Sequence, residues 1–289
     1  MEYLHRGGYA VLPLADALRR LGDGTLPPKA VAITFDDGFH DFRVQAFPIL
    51  KAHSFPATVY QTTYYSDYNR PVFRLICGLM LHRGRGRAYP GKGWNGDPLD
   101  LCAPGSVDIE LAKLDRFARD NNLSGRDKDA LAEQLAGCLG QDWNAILESR
   151  VMRLLEPSSI RELAEQGIDF QLHTHRHLTP RAEQAFRKEL DDNQARLNEY
   201  LGIRPSHFCY PSGVHHRDYP DWLRRWGAES AVTCHFGLAR QDHDRMLLPR
   251  FLDMNFTTDE EFDAWLTGVV EFLPRRTYQA IEPDAEPSA

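Results

Sequence analysis

The sequence contains no long apolar run, no closely spaced pair of cysteines and no block of basic residues. No window approaches the length of a membrane span, so we expect no transmembrane segment. The five cysteines are an odd number without a CxxC pair, which argues against a disulfide framework and a cysteine-based zinc finger. Lysine and arginine number 34 against 41 acidic residues, and no basic stretch with interleaved aromatics indicates a nucleic-acid surface. These absences favour a globular protein with reduced thiols and no nucleic-acid partner.

The first residues of the chain also lack a basic stretch followed by an apolar run, which is the pattern of a secretory leader. We therefore expect a cytoplasmic protein, with export open if translation starts further upstream. A chain of 289 residues, 42% of them hydrophobic, can bury a sizeable core as one domain. We predict a single catalytic domain over residues 1–281. The tail at 282–289, rich in Pro, Glu and Ala, is expected to be disordered.

Short apolar segments alternate with segments of helical periodicity along most of the chain. The predicted strands are 10–14, 30–35, 57–61, 169–172, 206–210 and 230–233. The predicted helices are 15–21, 42–53, 158–166, 181–201, 219–226 and 260–270. The segment 30–35 is nearly all apolar, as expected of a parallel strand covered on both faces. The repeated βα order predicts an α/β barrel, in which the C-terminal ends of the strands carry the chemistry.

The pattern changes between about 64 and 150, where an Arg/Gly-rich stretch at 83–87 precedes helices predicted near 109–120 and 128–139. We interpret this segment as a mostly helical and loop insertion between two barrel units. Its position after a strand places it near the mouth of the barrel. Two roles stay open: a wall of the substrate site, or a decoration without contact to substrate.

Two short segments, TFDDG at 34–38 and HTHRH at 173–177, carry complementary chemistry. Asp37, His173 and His177 together would supply one carboxylate and two imidazoles, which is the ligand set of a catalytic metal that keeps one position open for water. Asp36 lies next to a ligand and points the other way if it ends a strand, so it is free to take a proton. The two segments therefore predict a metal site with a base beside it.

Each of these residues also has a structural interpretation. Asp-Asp-Gly after a strand is often a turn, with Gly38 supplying a positive φ and the carboxylates capping the next helix. His175 lies between the two proposed ligands and could itself bind metal. If the segment enters a helical turn, however, only His173 and His177, four residues apart, share a face. We therefore assign a supporting role to His175, and expect Thr174 to cap the turn.

Four motifs in order carry a resemblance to a known family: TFDDG, HTxxH, FCYPSG at 208–213 and LPR at 248–250. They resemble those of the polysaccharide deacetylase family, also called carbohydrate esterase family 4 or the NodB-homology domain. The resemblance covers roughly Gly8 to Phe256 and is closest to the branch whose third motif reads like FAYPxG. It implies a distorted (β/α)7-type barrel, TIM-barrel-like, and a metal-dependent hydrolase that removes N-acetyl groups from sugars.

The resemblance also implies a role for each matching residue. By position, Asp37, His173 and His177 match the family's metal ligands, and Asp36 matches its general base. The metal would be Zn²⁺ or another divalent cation such as Co²⁺ or Ni²⁺, with its bound water attacking the acetyl carbonyl. The third motif suggests that the backbone N–H of Ser212 helps to hold the oxyanion.

The sequence departs from the family pattern in two places. Many members carry an Arg in the third motif to hold the base, whereas Cys209 stands there in this chain. Arg250 is the candidate replacement, because an Arg after Leu248-Pro249 would point into the barrel mouth and keep Asp36 ionised. The late Leu-x-His motif that supplies a general acid is also missing. The imidazoles available for that role are His215, His216 and His235, and none is favoured by the sequence.

Two functions follow from these residues. The first is a deacetylase acting on an N-acetylated amino sugar in a surface polysaccharide, a glycolipid or a precursor. The second is a catalytically silent relative that binds carbohydrate or a protein partner, since a missing acid and a displaced Arg are what decay of activity would produce. Within the enzyme class, hydrolysis of another amide or ester is the alternative. The sugar, its linkage and the oligomeric state are not encoded in any motif.

Overall fold

The computed structural model describes residues 1–255 and 257–272. This part of the chain forms two compact units. The first comprises residues 1–38, 42–67 and the chain from 155 onward, and the second comprises residues 39–41 and 68–154. The tail predicted at 282–289 lies outside the described residues. The predicted single domain over 1–281, with its insertion at about 64–150, stays a prediction.

The N-terminal part of the chain alternates short helices and strands. Its elements are α1 (Glu2–Arg6), β1 (Ala10–Val11), α2 (Leu14–Asp23), β2 (Ala30–Val31), β3 (Thr34–Phe35), α3 (Phe47–Ala52), β4 (Thr58–Gln61) and α4 (Tyr64–Tyr68). The strand predicted at 10–14 ends at Val11, because Pro13 already caps α2. A π-helix at Phe42–Ala46 leads into α3. Pro48 has no N–H to donate to the carbonyl of Val44, so regular α-helical bonding cannot run through the whole predicted helix 42–53.

The second unit is mostly helical. Its elements are α5 (Phe73–Gly84), β5 (Ala88–Tyr89), β6 (Leu99–Asp100), α6 (Ser106–Asp120), α7 (Gly125–Cys138) and α8 (Trp143–Glu148). They surround a hydrophobic cluster of their own that includes Met80, Leu114 and Leu135, each with no exposed surface. Both helices predicted in this segment are present. Helix α5 is not predicted by the sequence pattern, because its apolar residues do not form a clear stripe.

The chain from residue 155 onward returns to the βα order. Its elements are α9 (Pro157–Glu165), β7 (Asp169–Leu172), α10 (Glu183–Leu201), β8 (His207–Cys209), α11 (Tyr219–Trp226), β9 (Ser230–Val232) and α12 (Asp259–Leu266). The helix predicted at 260–270 therefore ends at Leu266. A separate 3₁₀ turn follows at Val269–Phe272. No helix in the described part of the chain is both long and apolar enough to cross a bilayer.

The strands of the first unit are all parallel to their neighbours. β1 pairs with β2, and the larger sheet has the order β3-β4-β7-β8-β9. Beyond β9 the chain returns, and Leu248 pairs in parallel with Val232. The segment predicted as one strand at 30–35 is split because its first half pairs with β1 and its second half with β4.

Both faces of the larger sheet are buried. On one face Val59, Phe170 and Phe208 belong to a cluster that includes helical residues such as Leu190. On the other face Tyr60 and its neighbours form a second cluster with α2, comprising Leu14, Leu18, Tyr60, Cys209, Val232 and Leu248. A parallel sheet buried on both sides leaves its C-terminal edge as the place where polar groups converge. The predicted site residues follow β3, β7 and β8 at this edge.

Candidate active site

A tight turn after β3 presents two adjacent carboxylates. Asp37 adopts a left-handed conformation with φ 66°, and Gly38 follows with φ 77°. Such values are uncommon for residues other than glycine, although aspartate tolerates them better than most. A Cβ at position 38 would also collide with the side chain of Gln61 in β4. The predicted turn role of Gly38 and the predicted site role of the carboxylates therefore coexist.

The structure brings the three predicted ligands together. Asp37 Oδ1 lies 3.2 Å from His173 Nε2 and 3.1 Å from His177 Nε2. Ligands at zinc-ligand distances in tetrahedral geometry are about 3.4 Å apart, so this donor spacing fits one divalent cation. His177 is 37% exposed on its side chain, whereas His173 is 1% exposed. The residues present thus fit a metal centre that is open on one side.

The tautomer of His173 is fixed by a backbone group. His173 Nδ1 lies 2.8 Å from the carbonyl oxygen of Cys209. A carbonyl can only accept, so Nδ1–H is the donor and Nε2 is left to face Asp37. Burial raises the pKa of the Asp37 carboxyl, but its hydrogen bonds to His173 and His177 outweigh burial and hold the pKa well below its usual range. An ionised carboxylate and an oriented imidazole are what a metal site requires.

The segment 173–177 does not enter a helical turn. Thr174 and His177 have left-handed conformations with φ 60° and 58°, and the segment is an irregular loop. The Thr174 hydroxyl accepts a hydrogen bond of 3.1 Å from the N–H of Leu178, which closes the loop. His173 and His177 therefore converge because the loop folds back on itself, not because they share a face of a helix. Thr174 does close the turn, as expected.

A buried polar network holds this loop from beneath. The Asn193 side chain accepts from the His173 N–H at 3.0 Å and donates to the Gln61 carbonyl and the Thr63 hydroxyl, each at 3.0 Å. The Thr63 hydroxyl also lies 2.9 Å from His175 Nδ1. His175 thus has a supporting role, consistent with its omission from the predicted ligands.

Glu189 holds the other half of the loop. Its carboxylate accepts from the backbone N–H of Arg176 and from the Arg176 guanidinium, each at 2.7 Å. Its own carbonyl accepts from the N–H of His175 at 3.2 Å. Sequence reasoning missed both Glu189 and Asn193. The available signal was two polar residues four apart on the buried face of α10, between Phe186, Leu190 and Leu197.

The predicted charge partner of the base contacts it directly. Both terminal nitrogens of Arg250 bind the carboxylate of Asp36, one of them at 2.8 Å from Oδ1. The side chain of Arg250 is 13% exposed, so this is not a surface ion pair. Burial raises the pKa of Asp36, but the Arg250 guanidinium more than offsets it and lowers the pKa below its usual value. Asp36 is therefore ionised at neutral pH.

Cys209, the residue that the resemblance places where an arginine is expected, is buried beside Arg250. Its Sγ accepts a contact of 3.1 Å from Arg250, and its carbonyl holds His173. Burial raises the pKa of this thiol, so it is neutral. The guanidinium also donates to the carbonyl of Thr233 at 2.9 Å and to the hydroxyl of Thr34 at 3.2 Å. Arg250 thus reaches the base from the other edge of the sheet.

The remaining predicted residues follow β8 and β9. Ser212 is exposed in the short turn Pro211–Gly213 with φ 55°, and its oxyanion role stays a prediction. His215 and His235 form a ring pair with centroids 5.1 Å apart. His216 instead lies 3.2 Å from the carboxylate of Asp218. The structure therefore separates the three candidate acids into one ring pair and one residue beside a carboxylate.

The family model "Polysaccharide deacetylase" matches residues 23–84 and 126–231. The matched residues contain the three predicted ligands, Asp36 and Ser212, whereas Arg250 lies beyond them. A curated relative, the poly-beta-1,6-N-acetyl-D-glucosamine N-deacetylase of Escherichia coli (strain K12), is 41% identical over 56 residues. That match covers 19% of this chain and 8% of the relative, so the chain spans a small part of the relative's length.

Solved structures share the fold over most of the chain. The Streptococcus pyogenes deacetylase PplD, solved in complex with acetate, has a TM-score of 0.58 and 19% identity over 92% of this chain and 83% of its own. IcaB from Ammonifex degensii has a TM-score of 0.55 and 19% identity over 92% of this chain and 85% of its own. These likenesses confirm the predicted barrel-type α/β fold, here a parallel sheet curled into a half-barrel. With the match to the family model over more than half of its length, the chain belongs to the polysaccharide deacetylase family.

Proposed function

We propose that this protein is a metal-dependent hydrolase that removes an N-acetyl group from an amino sugar. One observation carries the proposal: Asp37 lies within 3.2 Å of both His173 and His177, beside a second, arginine-bound carboxylate. A ligand set with an open side and an ionised base next to it is the arrangement that amide hydrolysis by an activated water needs. Membership of the family supports the same reaction.

Each residue of the site has a separate role in this reaction. Asp37, His173 and His177 would hold the cation, and two imidazoles with one carboxylate suit Zn²⁺, with Co²⁺ or Ni²⁺ as alternatives. When bound, such a cation supplies a Lewis acid that activates water and polarises the acetyl carbonyl. Asp36 takes the proton of the attacking water, and Arg250 orients its carboxylate. The backbone N–H of Ser212 would donate to the oxyanion.

The substrate class rests on the family and on the curated relative. That relative is named for deacetylation of a β-1,6-linked N-acetylglucosamine polymer. We propose an N-acetylated amino sugar in a surface polysaccharide, a glycolipid or a precursor as the substrate of this chain. The alternative of a catalytically silent binding protein is disfavoured, because the ligands, the base and its arginine remain in contact. The cytoplasmic location expected from the sequence stays a prediction.

The test combines metal analysis with an acetate-release screen across N-acetylated glycans. The purified protein should bind one divalent cation and release acetate from at least one N-acetylhexosamine substrate. Asp36→Asn should retain the cation and lose about 10²–10⁴-fold in kcat, because the base is gone and the ligands remain. His173→Ala should lose both the cation and turnover.

The exposed carboxylate of Asp242 provides a matched control. Asp242→Asn should leave both the metal content and acetate release unchanged. Equal acetate release by the wild-type protein and Asp36→Asn would reject the assigned base. A metal-loaded wild-type protein that releases no acetate from any glycan in the screen would contradict the proposed function.

A further inference from the structure

Two histidines meet where β8 and β9 end. The rings of His215 and His235 have centroids 5.1 Å apart at an angle of 69°. Both side chains are half-buried, and the ring of Tyr210 lies 5.3 Å from that of His215. The ligands and the base of the proposed function leave this pair without a role. Amide hydrolysis needs one more group, because an amine leaves only after its nitrogen has gained a proton.

The pair is tied to the same residues that hold the base. The backbone N–H of Arg250, whose guanidinium binds Asp36, donates to the carbonyl of His235 at 3.0 Å. Gly213, two residues before His215, packs so closely on Cys234 that a Cβ there would lie 2.6 Å from the Cys234 Cβ. The two histidine-bearing loops are therefore fixed against each other and against the arginine of the base.

The pair follows strands of the same parallel sheet whose C-terminal edge carries the metal residues and the base. Asp36 and Asp37 follow β3, His173 follows β7, and His215 follows β8, which is three strands from β3 in the order β3-β4-β7-β8-β9. Because β8 is the direct neighbour of β7, a proton donor after β8 starts one strand away from the loop that carries the ligand His173.

A backbone hydrogen bond orients one of the two rings. His215 Nδ1 lies 2.9 Å from the carbonyl oxygen of Gly213, and since a carbonyl only accepts, Nδ1–H is the donor. This bond leaves Nε2 as the ring atom that can exchange a proton. Burial and the neighbouring His215 lower the pKa of His235. The Gly213 carbonyl therefore orients the His215 ring for proton transfer through Nε2.

We propose that His215 is the general acid of the deacetylation, donating its Nε2 proton to the leaving amine, with the ring of His235 packed beside it. This inference rests on the proposed function. In the balanced reaction, the water oxygen bonds to the acetyl carbon while Asp36 takes one water proton. The carbon–nitrogen bond then breaks, and its electron pair stays on nitrogen, which takes the proton from His215. The products are acetate and the free amino sugar, and proton exchange with solvent restores Asp36 and His215.

The test compares leaving groups that do and do not need a proton. Hydrolysis of an N-acetylated chitooligosaccharide releases an amine, so it requires the acid. Hydrolysis of 4-nitrophenyl acetate releases 4-nitrophenolate, a stable anion that leaves without a proton. His215→Gln should lose about 10²–10⁴-fold in kcat on the amide but remain within a few-fold of wild type on the ester. Added imidazole should partly restore amide hydrolysis to His215→Ala. His216→Gln is the matched control and should behave as wild type on both substrates.

The outcomes separate this inference from the proposed function. No acetate release by the wild-type protein would contradict the proposed function itself. Wild-type turnover together with an equal loss on amide and ester in His215→Gln, or with no loss on either, would overturn the assignment of His215. A leaving-group-dependent loss in His235→Gln but not in His215→Gln would overturn it as well. Failure of imidazole to rescue His215→Ala would argue for a packing role of the ring.

Discussion

At the scale of single residues, the site depends on side chains that touch neither metal nor substrate. Asn193 has no exposed surface and uses three hydrogen bonds to join α10 to the ends of β4 and β7. One of these bonds holds the backbone N–H of His173, the ligand whose ring is also fixed by Cys209. The Asn193 side chain therefore positions the ligand His173 without touching the metal.

Replacing Asn193 with alanine should weaken metal binding more than it weakens the fold. The N–H of His173 loses its partner, and the loop that carries both histidines gains freedom, so we expect zinc affinity to fall about 10–100-fold. Each buried group left unpaired should cost about 1–3 kcal/mol in the free energy of unfolding. Zinc affinity is measured by competition with a chromophoric chelator, and stability by urea unfolding of the metal-free protein.

Gln184 on the same helix is exposed and serves as the control. Gln184→Ala should change neither zinc affinity nor the urea midpoint. An Asn193→Ala protein that unfolds at lower urea but binds zinc with wild-type affinity would show that the asparagine supports the core alone.

The same residue scale shows what the sequence could and could not predict. Asp36, Asp37, His173 and His177 could be nominated because each belongs to a short contiguous motif whose residue types suggest a ligand set. Arg250 could be nominated from its position after Leu248-Pro249, and it contacts Asp36. Asn193 and Glu189 could not be, because a polar residue in a helix acquires its role only when the helix packs against a particular loop. No local pattern encodes that contact.

At the scale of elements, the turn after β3 determines where the two carboxylates point. Its left-handed residues are adjacent, and the Gly38 N–H donates back to the carbonyl of Asp36 at 2.7 Å. Gln61 of β4 fills the space beside Gly38 and donates to the Asp37 carbonyl at 3.1 Å. Glycine is therefore required at position 38 for two reasons, its positive φ and its missing Cβ.

Comparing Gly38→Ala with Gly24→Ala separates the cost of a positive φ from the cost of an added Cβ. Gly24 ends α2 with φ 68°, and a Cβ there would meet no described atom within 4 Å. Gly24→Ala should therefore lose only about 1–2 kcal/mol in the free energy of unfolding, the cost of a left-handed alanine. Gly38→Ala should lose about 1–3 kcal/mol more, because Gln61 must also move. Urea unfolding of the metal-free proteins measures both, and equal losses would mean that Gln61 moves aside without cost.

Element boundaries were harder to predict than element order. The sequence predicted one strand at 30–35, but an apolar run does not reveal that its halves pair with different neighbours. The four-residue spacing of His173 and His177 suggested that they share a face if the segment enters a helical turn, but two left-handed residues produce the same convergence in a loop. The βα order itself was readable because periodicity changes clearly between a buried strand and an amphipathic helix.

At the scale of the whole molecule, the two units contain separate hydrophobic clusters. One cluster includes Val59, Phe170 and Leu190, and the other includes Met80, Leu114 and Leu135. All proposed metal ligands and the base belong to the first unit. A cation that binds only the folded first unit stabilises it by mass action, about 2.7 kcal/mol when the free cation is 100 times the dissociation constant.

Zinc should therefore slow amide hydrogen exchange in the first unit and leave it unchanged in the second. Adding zinc to the chelator-treated protein should slow amide exchange in β4, β7 and β8, because global opening of the first unit becomes less frequent. Exchange in α6 and α7 should stay the same, since their unit holds none of the proposed ligands. In His173→Ala, zinc should change neither region. An equal gain of protection in both units would instead mean that they unfold together, as one cooperative domain of the kind the sequence predicted over residues 1–281.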